Sequence, residues 1–185
     1  MKDGLITRDD IPHFPHWGGY SIHVSWDYLE YQLDHYKADY NLDMDPDFQR
    51  AHVWTRQQQI AFIEFKLRGG LSGKDILFNY PDFQRSSSFT DKMLLVDGKQ
   101  RLQAVREFLC GNIGIFADLF GKPKFYGEFD RTVFGITEVN FIFHINSLLT
   151  RKQVLEWYLS LNAGGTPHTS EEITKVEGLL AEESS

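Results

Sequence analysis

A chain of 185 residues is long enough to bury a proper core and has the length usual for one domain. Its 42% hydrophobic and 24% charged residues match an ordinary globular composition, and no apolar run approaches the roughly 18 residues that span a bilayer. A formal charge of −7 argues against a protein that coats DNA non-specifically, and Cys110, the single cysteine, excludes an intrachain disulfide and a cysteine-rich metal site. No signal-peptide stretch follows Met1, so a cytoplasmic location without a membrane partner is expected. The charge is uneven: residues 169–185 hold five glutamates against Lys175, a balance of −4, which leaves −3 for the rest.

In chain order, residues 1–20 carry Pro12, Pro15, Gly18 and Gly19 among aromatics and read as an irregular arm. Ile22–Val24 reads as a short strand, with Ser25 as an N-cap. Leu29, Leu33, Tyr36 and Tyr40 then recur at helical spacing. Asp45-Pro46 biases the chain to extension, which puts Gln49 and Arg50 in a loop. Thr55-Arg56-Gln57-Gln58 is a capping box opening a helix with Ile60, Ile63 and Leu67 buried, and Gly69-Gly70 ends it. Trp54 is expected to staple onto that helix.

Asp75–Tyr80 reads as a strand stopped by Pro81, and residues 84–90 as a polar hairpin tip. Met93–Val96 is a second strand of this part, followed by a helix over Lys99–Cys110 that buries Leu102, Val105 and Leu109, with Cys110 as a buried thiol. Residues 113–138 show no clear period. Val139–Ile145 reads as a half-buried strand in which His144 is a satisfied core residue. Capping boxes at Thr150–Gln153 and Thr169–Glu172 open two more helices, with stripes Val154, Tyr158, Leu161 and Ile173, Val176, Leu180. Residues 181–185 form a fraying acidic tail. Short strands mixed with capped helices indicate a compact α+β fold in one domain over residues 1–185.

The stretch with most chemistry is Met93 to Leu102, where an apolar strand meets Asp97-Gly98 and a helix opens on Lys99, Gln100 and Arg101. The first N–H groups of a helix lack helical partners and its dipole favours an anion. Gly98 permits close backbone approach, Arg101 can grip a phosphate bidentately, and Lys99 adds a point charge. Asp97 can hold Arg101, orient a metal-bound water or activate a nucleophile. Asp-Gly is also a common turn, yet cations at a helix start oppose the macrodipole, which a purely structural start avoids. Two further stretches have both a structural and an anion-binding reading: Gln49-Arg50, and Asn162-Ala163-Gly164-Gly165-Thr166. There is no Gly-x-x-x-x-Gly-Lys-Ser/Thr loop, no Gly-x-Ser-x-Gly elbow, no His-Glu-x-x-His pair and no metal-ligand cluster.

Taken together and in order, Asp45-Pro46-Asp47-Phe48-Gln49-Arg50-Ala51-His52-Val53-Trp54, Leu95-Val96-Asp97-Gly98-Lys99-Gln100-Arg101-Leu102 and Leu161-Asn162-Ala163-Gly164-Gly165-Thr166-Pro167 resemble the DGQQR-motif family. These are ParB/sulfiredoxin-like domains found at the N-terminus of GmrSD-type modification-dependent restriction enzymes. The likeness covers about Ile22 to Leu180. It implies a small mixed sheet packed by helices that binds a nucleoside triphosphate, with hydrolysis in some members and Mg²⁺ as companion ion. It places catalytic positions at Asp97, Gln100 and Arg101. Nucleotide-binding positions fall on Gln49, Arg50, Gly98, Lys99, Asn162, Gly164, Gly165 and Thr166.

Two departures from the pattern stand out. Lys99 replaces the family's first glutamine, and no His-Asn-His nuclease motif follows, which leads us to expect a stand-alone domain. The sulfiredoxin branch has a reactive cysteine in the corresponding turn, whereas this chain has none there, so sulfinic acid reduction is not expected. Three functions are consistent with the sequence. The first is a nucleotide-binding, NTP-hydrolysing switch or sensor acting with DNA or a separate effector protein in a DNA-related, anti-phage or phage process. The second is a DNA-binding or nuclease module, and the third a non-enzymatic protein-interaction domain.

Overall fold

The computed structural model describes residues 19–49, 54–81, 92–134, 139–162 and 170–183, together with Ile6 and Ile11. Of the expected arm at 1–20 only Ile6, Ile11, Gly19 and Tyr20 are described, and the hairpin tip at 84–90 and the capping side chains of the third box lie outside the described residues.

Strand β1 (Tyr20–Ser25) leads through a 3-10 turn at Trp26–Tyr28 into helix α1 (Leu29–Tyr40). Ser25 is extended but makes no side-chain cap on this turn. Asn41, at φ 49, ends α1 in the left-handed region that Asn tolerates better than most residues. Helix α2 (Arg56–Leu67) starts on the expected box: Thr55 Oγ1 accepts from Gln58 N at 3.3 Å, and Thr55 N donates to Gln58 Oε1 at 2.8 Å. Strands β2 (Asp75–Asn79) and β3 (Leu94–Asp97) pair antiparallel on either side of the hairpin segment. Helix α3 (Lys99–Leu109) follows directly, then the single turn α4 (Ala117–Phe120), β4 (Asn140–Asn146), α5 (Arg151–Asn162) and α6 (Ser170–Glu182).

The sheet order is β1-β4-β2-β3, with β2 parallel to β4 and the other pairs antiparallel. Alternation sends Ile76, Phe78, Leu95, Phe141, Phe143 and Ile145 to one face. There they meet Leu29, Leu33 and Tyr36 of α1, Ile63 of α2 and Leu102, Val105 and Phe108 of α3. Leu77 and Val96 point the other way, onto Val154, Leu155, Trp157 and Tyr158 of α5 and Val176 of α6. The architecture is a mixed sheet between helical layers, the α+β class expected.

Several details differ from the sequence reading. Cys110 is exposed: its N–H still donates to Arg106 O at 2.9 Å, but its helical phase puts it on the side away from Ala104, Val105 and Phe108. Ile173 is exposed at 39%, leaving Val176 as the fully buried residue of α6. Helix α6 continues through Glu182, and Glu183 N still donates to Leu179 O at 3.3 Å, so it extends into the segment expected to fray. The stretch after α3 holds an Ile115–Lys124 bridge, α4 and 3-10 turns at Tyr126–Glu128 and Arg131–Val133. Pieces this short carry no period to read.

Lys66 is wholly buried near the end of α2, where its ammonium donates to Gly70 O at 2.5 Å and Ser72 O at 3.3 Å and closes the turn into β2. Burial, helped by Lys74, lowers its pKa from 10.5 to about 8, with Asp75 opposing. The folded chain therefore binds this proton less tightly than the unfolded chain, and folding releases it between those two values. Stability from this group rises with pH across the window from about 8 to 10.5. In thermal melts the difference between wild type and Lys66→Met should shift in favour of wild type from pH 8 to 10. A pH-independent difference would contradict this.

Candidate functional site

The site is built on the end of β3. Leu77 lies opposite Asp97 while Phe78 lies opposite Leu95, so Val96 is the extra residue of a β-bulge. The outer edge of β3 is covered by residues 43–49. Asp43 N donates to Met93 O at 2.8 Å and Leu95 N to Asp43 O at 3.0 Å, a short parallel bridge. Beyond it the Gln49 amide nitrogen donates to both Leu95 O, at 2.7 Å, and Val96 O, at 2.8 Å. The bulge turns two successive carbonyls outward, and one buried glutamine amide satisfies both.

Gln49, expected on a nucleotide, thus has its amide N–H groups committed to the backbone just before the Asp97-Gly98 turn. Replacing it by leucine leaves two carbonyls short of a donor. Gln49→Leu should cost roughly 2–4 kcal/mol in urea denaturation with an unchanged m-value. A loss below about 0.5 kcal/mol would mean water replaces the amide without penalty.

Gly98 caps α3 at φ 101 and ψ 4, a conformation that L side chains rarely adopt. A Cβ there would stand 2.4 Å from Ile76 Cδ1 and 3.3 Å from Ile76 Cα, so the helix start rests directly on β2. Gly98 has no side chain to cap the first turn, and its carbonyl accepts the first helical bond from Leu102 N at 2.9 Å.

The electrostatic oddity of this cationic start has a local answer. Arg101 donates to Asp97 Oδ2 at 2.6 Å, and Lys99 pairs with Asp45 from the covering loop. The cations are largely covered, with side chains 19% and 17% exposed, while Asp97 and Asp45 are 51% and 77% exposed. Each cation is held near the protein by a carboxylate that faces water. An incoming anion therefore competes with solvated partners at little desolvation cost to them.

Gln100 is buried, and its Oε1 accepts from Trp54 N at 3.1 Å, which ties the start of α3 to the segment leading into α2. The Trp54 ring packs on Phe62 of α2 with centroids 5.4 Å apart, the staple expected. The structure thus brings Gln49, Asp97, Gly98, Lys99, Gln100 and Arg101 together. Asn162 closes α5, with its side chain outside the described residues. Arg50, Gly164, Gly165 and Thr166 also lie outside them.

Next to this turn is a cavity of about 580 Å³ whose wall includes Asp45, Asp47, Asn79, Lys92, Leu148 and Arg151. Arg151 donates to Asp47 Oδ2 at 2.7 Å, and Asn79 fixes Leu148 through both its oxygen and its nitrogen. Thr150 and Gln153 form the expected second box at the start of α5. Asp45 belongs to both the cavity wall and the Lys99 pair. Sequence reasoning missed Asp43, Asp45 and Asp47 as site residues. Three aspartates stand at alternate positions before Phe48-Gln49, but the partner of Asp45, Lys99, lies 54 positions on and no local pattern names it.

The chain belongs to the family of N-terminal domains of GmrSD restriction endonucleases, whose model matches residues 31–178. It is thereby a restriction-related module. Comparison with curated proteins and with solved structures gave no match. Among the described residues no helix is long and apolar enough to cross a membrane.

Proposed function

We propose that this domain binds a nucleoside triphosphate at the start of α3 and works as a switch or sensor in restriction-type phage defence, acting with DNA or a separate effector protein. The observation that carries this reading is the Gly98-led helix start with Lys99 and Arg101 held beside it by solvated carboxylates. Helix-terminal amides, a guanidinium and an ammonium are the donor set that suits a polyphosphate. Residues 98–101 would hold the phosphates. Asp97 and Asp45 are the carboxylates available to a companion Mg²⁺, an ion that neutralises phosphate charge when bound.

For hydrolysis we assign Asp97 to orient the attacking water, Arg101 to balance the developing charge, and Gln100 to position the turn through Trp54. Arg50, Asn162, Gly164, Gly165 and Thr166 complete the nucleotide-binding set, with Gln49 bracing the strand beneath it. Calorimetric titration with the four ribonucleoside triphosphates and Mg²⁺ tests the reading. Saturable heat with at least one is expected, and no heat with any of them would overturn it.

A further inference from the structure

On the far side of the sheet from β3, the edge between β1 and α1 carries a second concavity of about 360 Å³. Tyr20, Ile22, Tyr28, Tyr31, His35 and Tyr40 are among its walls. Tyr28 and Tyr31 are 53% and 62% exposed, with ring centroids 4.6 Å apart. His35 and Tyr40 meet edge-on at 6.0 Å. Two adjacent rings at this exposure offer an open stacking face.

The charge around the groove selects the partner. Residues 27–40 carry Asp27, Glu30, Asp34 and Asp39 against Lys37. Lys37 is matched by Asp34 at 3.0 Å, and Glu30 by Arg106 at 2.6 Å. Asp27 and Asp39 remain in excess, the first accepting from the Tyr126 hydroxyl at 2.7 Å and the second beside His35 at 3.1 Å. The groove wall itself has neither a lysine or arginine nor an aspartate or glutamate, so the carboxylates flank the rings without lining them. Such a surface repels phosphate, while the negative faces of tyrosine rings attract a guanidinium or ammonium.

Length narrows the choice further. Positions 28, 31, 35, 36 and 40 follow one helical face over about 18 Å. A single small cation covers a fraction of that, whereas five or six extended residues span it at about 3.3 Å each. We propose that the groove between β1 and α1 docks an extended, arginine- or lysine-bearing segment of a protein partner. Its cationic heads would stack on the tyrosines and face Asp27 and Asp39.

The test is fluorescence anisotropy on the full chain. The probes are a labelled nonapeptide with arginine at alternate positions, its glutamate counterpart, and a ten-nucleotide oligothymidylate. The arginine peptide should bind, and the double variant Tyr28→Ala/Tyr31→Ala should weaken it about tenfold. Asp39→Asn should weaken it too and flatten its salt dependence. Because both tyrosines are exposed, the double variant should melt as wild type does, which separates lost docking from lost fold. Absence of arginine-peptide binding would overturn the proposal, as would equal affinity in the double variant. Oligothymidylate binding that depends on Tyr28 and Tyr31 would replace it with a base-stacking platform. Self-association lost in the double variant would replace it with a contact between copies of this chain.

Discussion

Gly98→Ala should destabilise the domain by roughly 2–5 kcal/mol, a fall in melting temperature on the order of 10 °C. Two separable costs add up to this. The first is the left-handed φ of 101, which costs an L residue about 1–2 kcal/mol wherever it sits. The second is overpacking, since the new Cβ would lie 2.4 Å from Ile76 Cδ1. The nearest atom is the end of a flexible side chain, so Ile76→Val, which deletes it, should recover part of the second cost and none of the first. Urea titrations of both single variants and the double variant form the necessary cycle. The double variant should be more stable than the sum of the singles predicts. Simple additivity would show that the helix start does not press on β2 as described.

Arg101→Ala should weaken triphosphate binding by about 10- to 150-fold, equivalent to roughly 1.5–3 kcal/mol, through loss of one or two charge-assisted hydrogen bonds. Its effect on folding should be small. Asp97, the partner it abandons, is half exposed and can be rehydrated, and surface pairs of this kind are worth about 0–1 kcal/mol. Calorimetry with the preferred triphosphate and Mg²⁺, beside a thermal melt, separates the two quantities. Unchanged affinity in a normally folded variant would remove Arg101 from the site. A matched fall in affinity and stability would make it a structural residue.

What could be read from the sequence was local. The boxes at Thr55 and Thr150 are contained within four residues each, and both form as written. The Gly98 turn was also visible, because an Asp-Gly pair between an apolar run and a helical stripe has few other uses. The partners of that turn were not visible. Asp45 reaches Lys99 across 54 positions, and Gln49 reaches Val96 across 47. Nothing in either neighbourhood announces the other. Gln49 was read by its side-chain type, which suits a ligand as well as a carbonyl, and only the bulge explains why two carbonyls await it. Cys110 is exposed because its helical phase, two residues past Phe108, puts it on the side opposite the buried stripe, which the residue type alone does not show.

The bulge at Val96 also makes this part of the chain sensitive to counting. Strand side chains alternate faces with a period of two, so a one-residue slip moves every later side chain to the opposite face. Between Leu95, facing the α1–α3 layer, and Gly98, resting on Ile76, the bulge absorbs one residue, so that Leu95 and Asp97 meet consecutive residues of β2 while Val96 turns its carbonyl to Gln49. Val96 can therefore be exchanged for another apolar residue with a modest packing cost. Its deletion would leave Leu95 and Asp97 opposite Phe78 and Leu77 in regular register, but would remove the Val96 carbonyl that Gln49 holds and the Val96 side chain from the α5 layer. For this turn the number of residues is a stricter requirement than their identity, and length variation should be tolerated around it only outside residues 94–98.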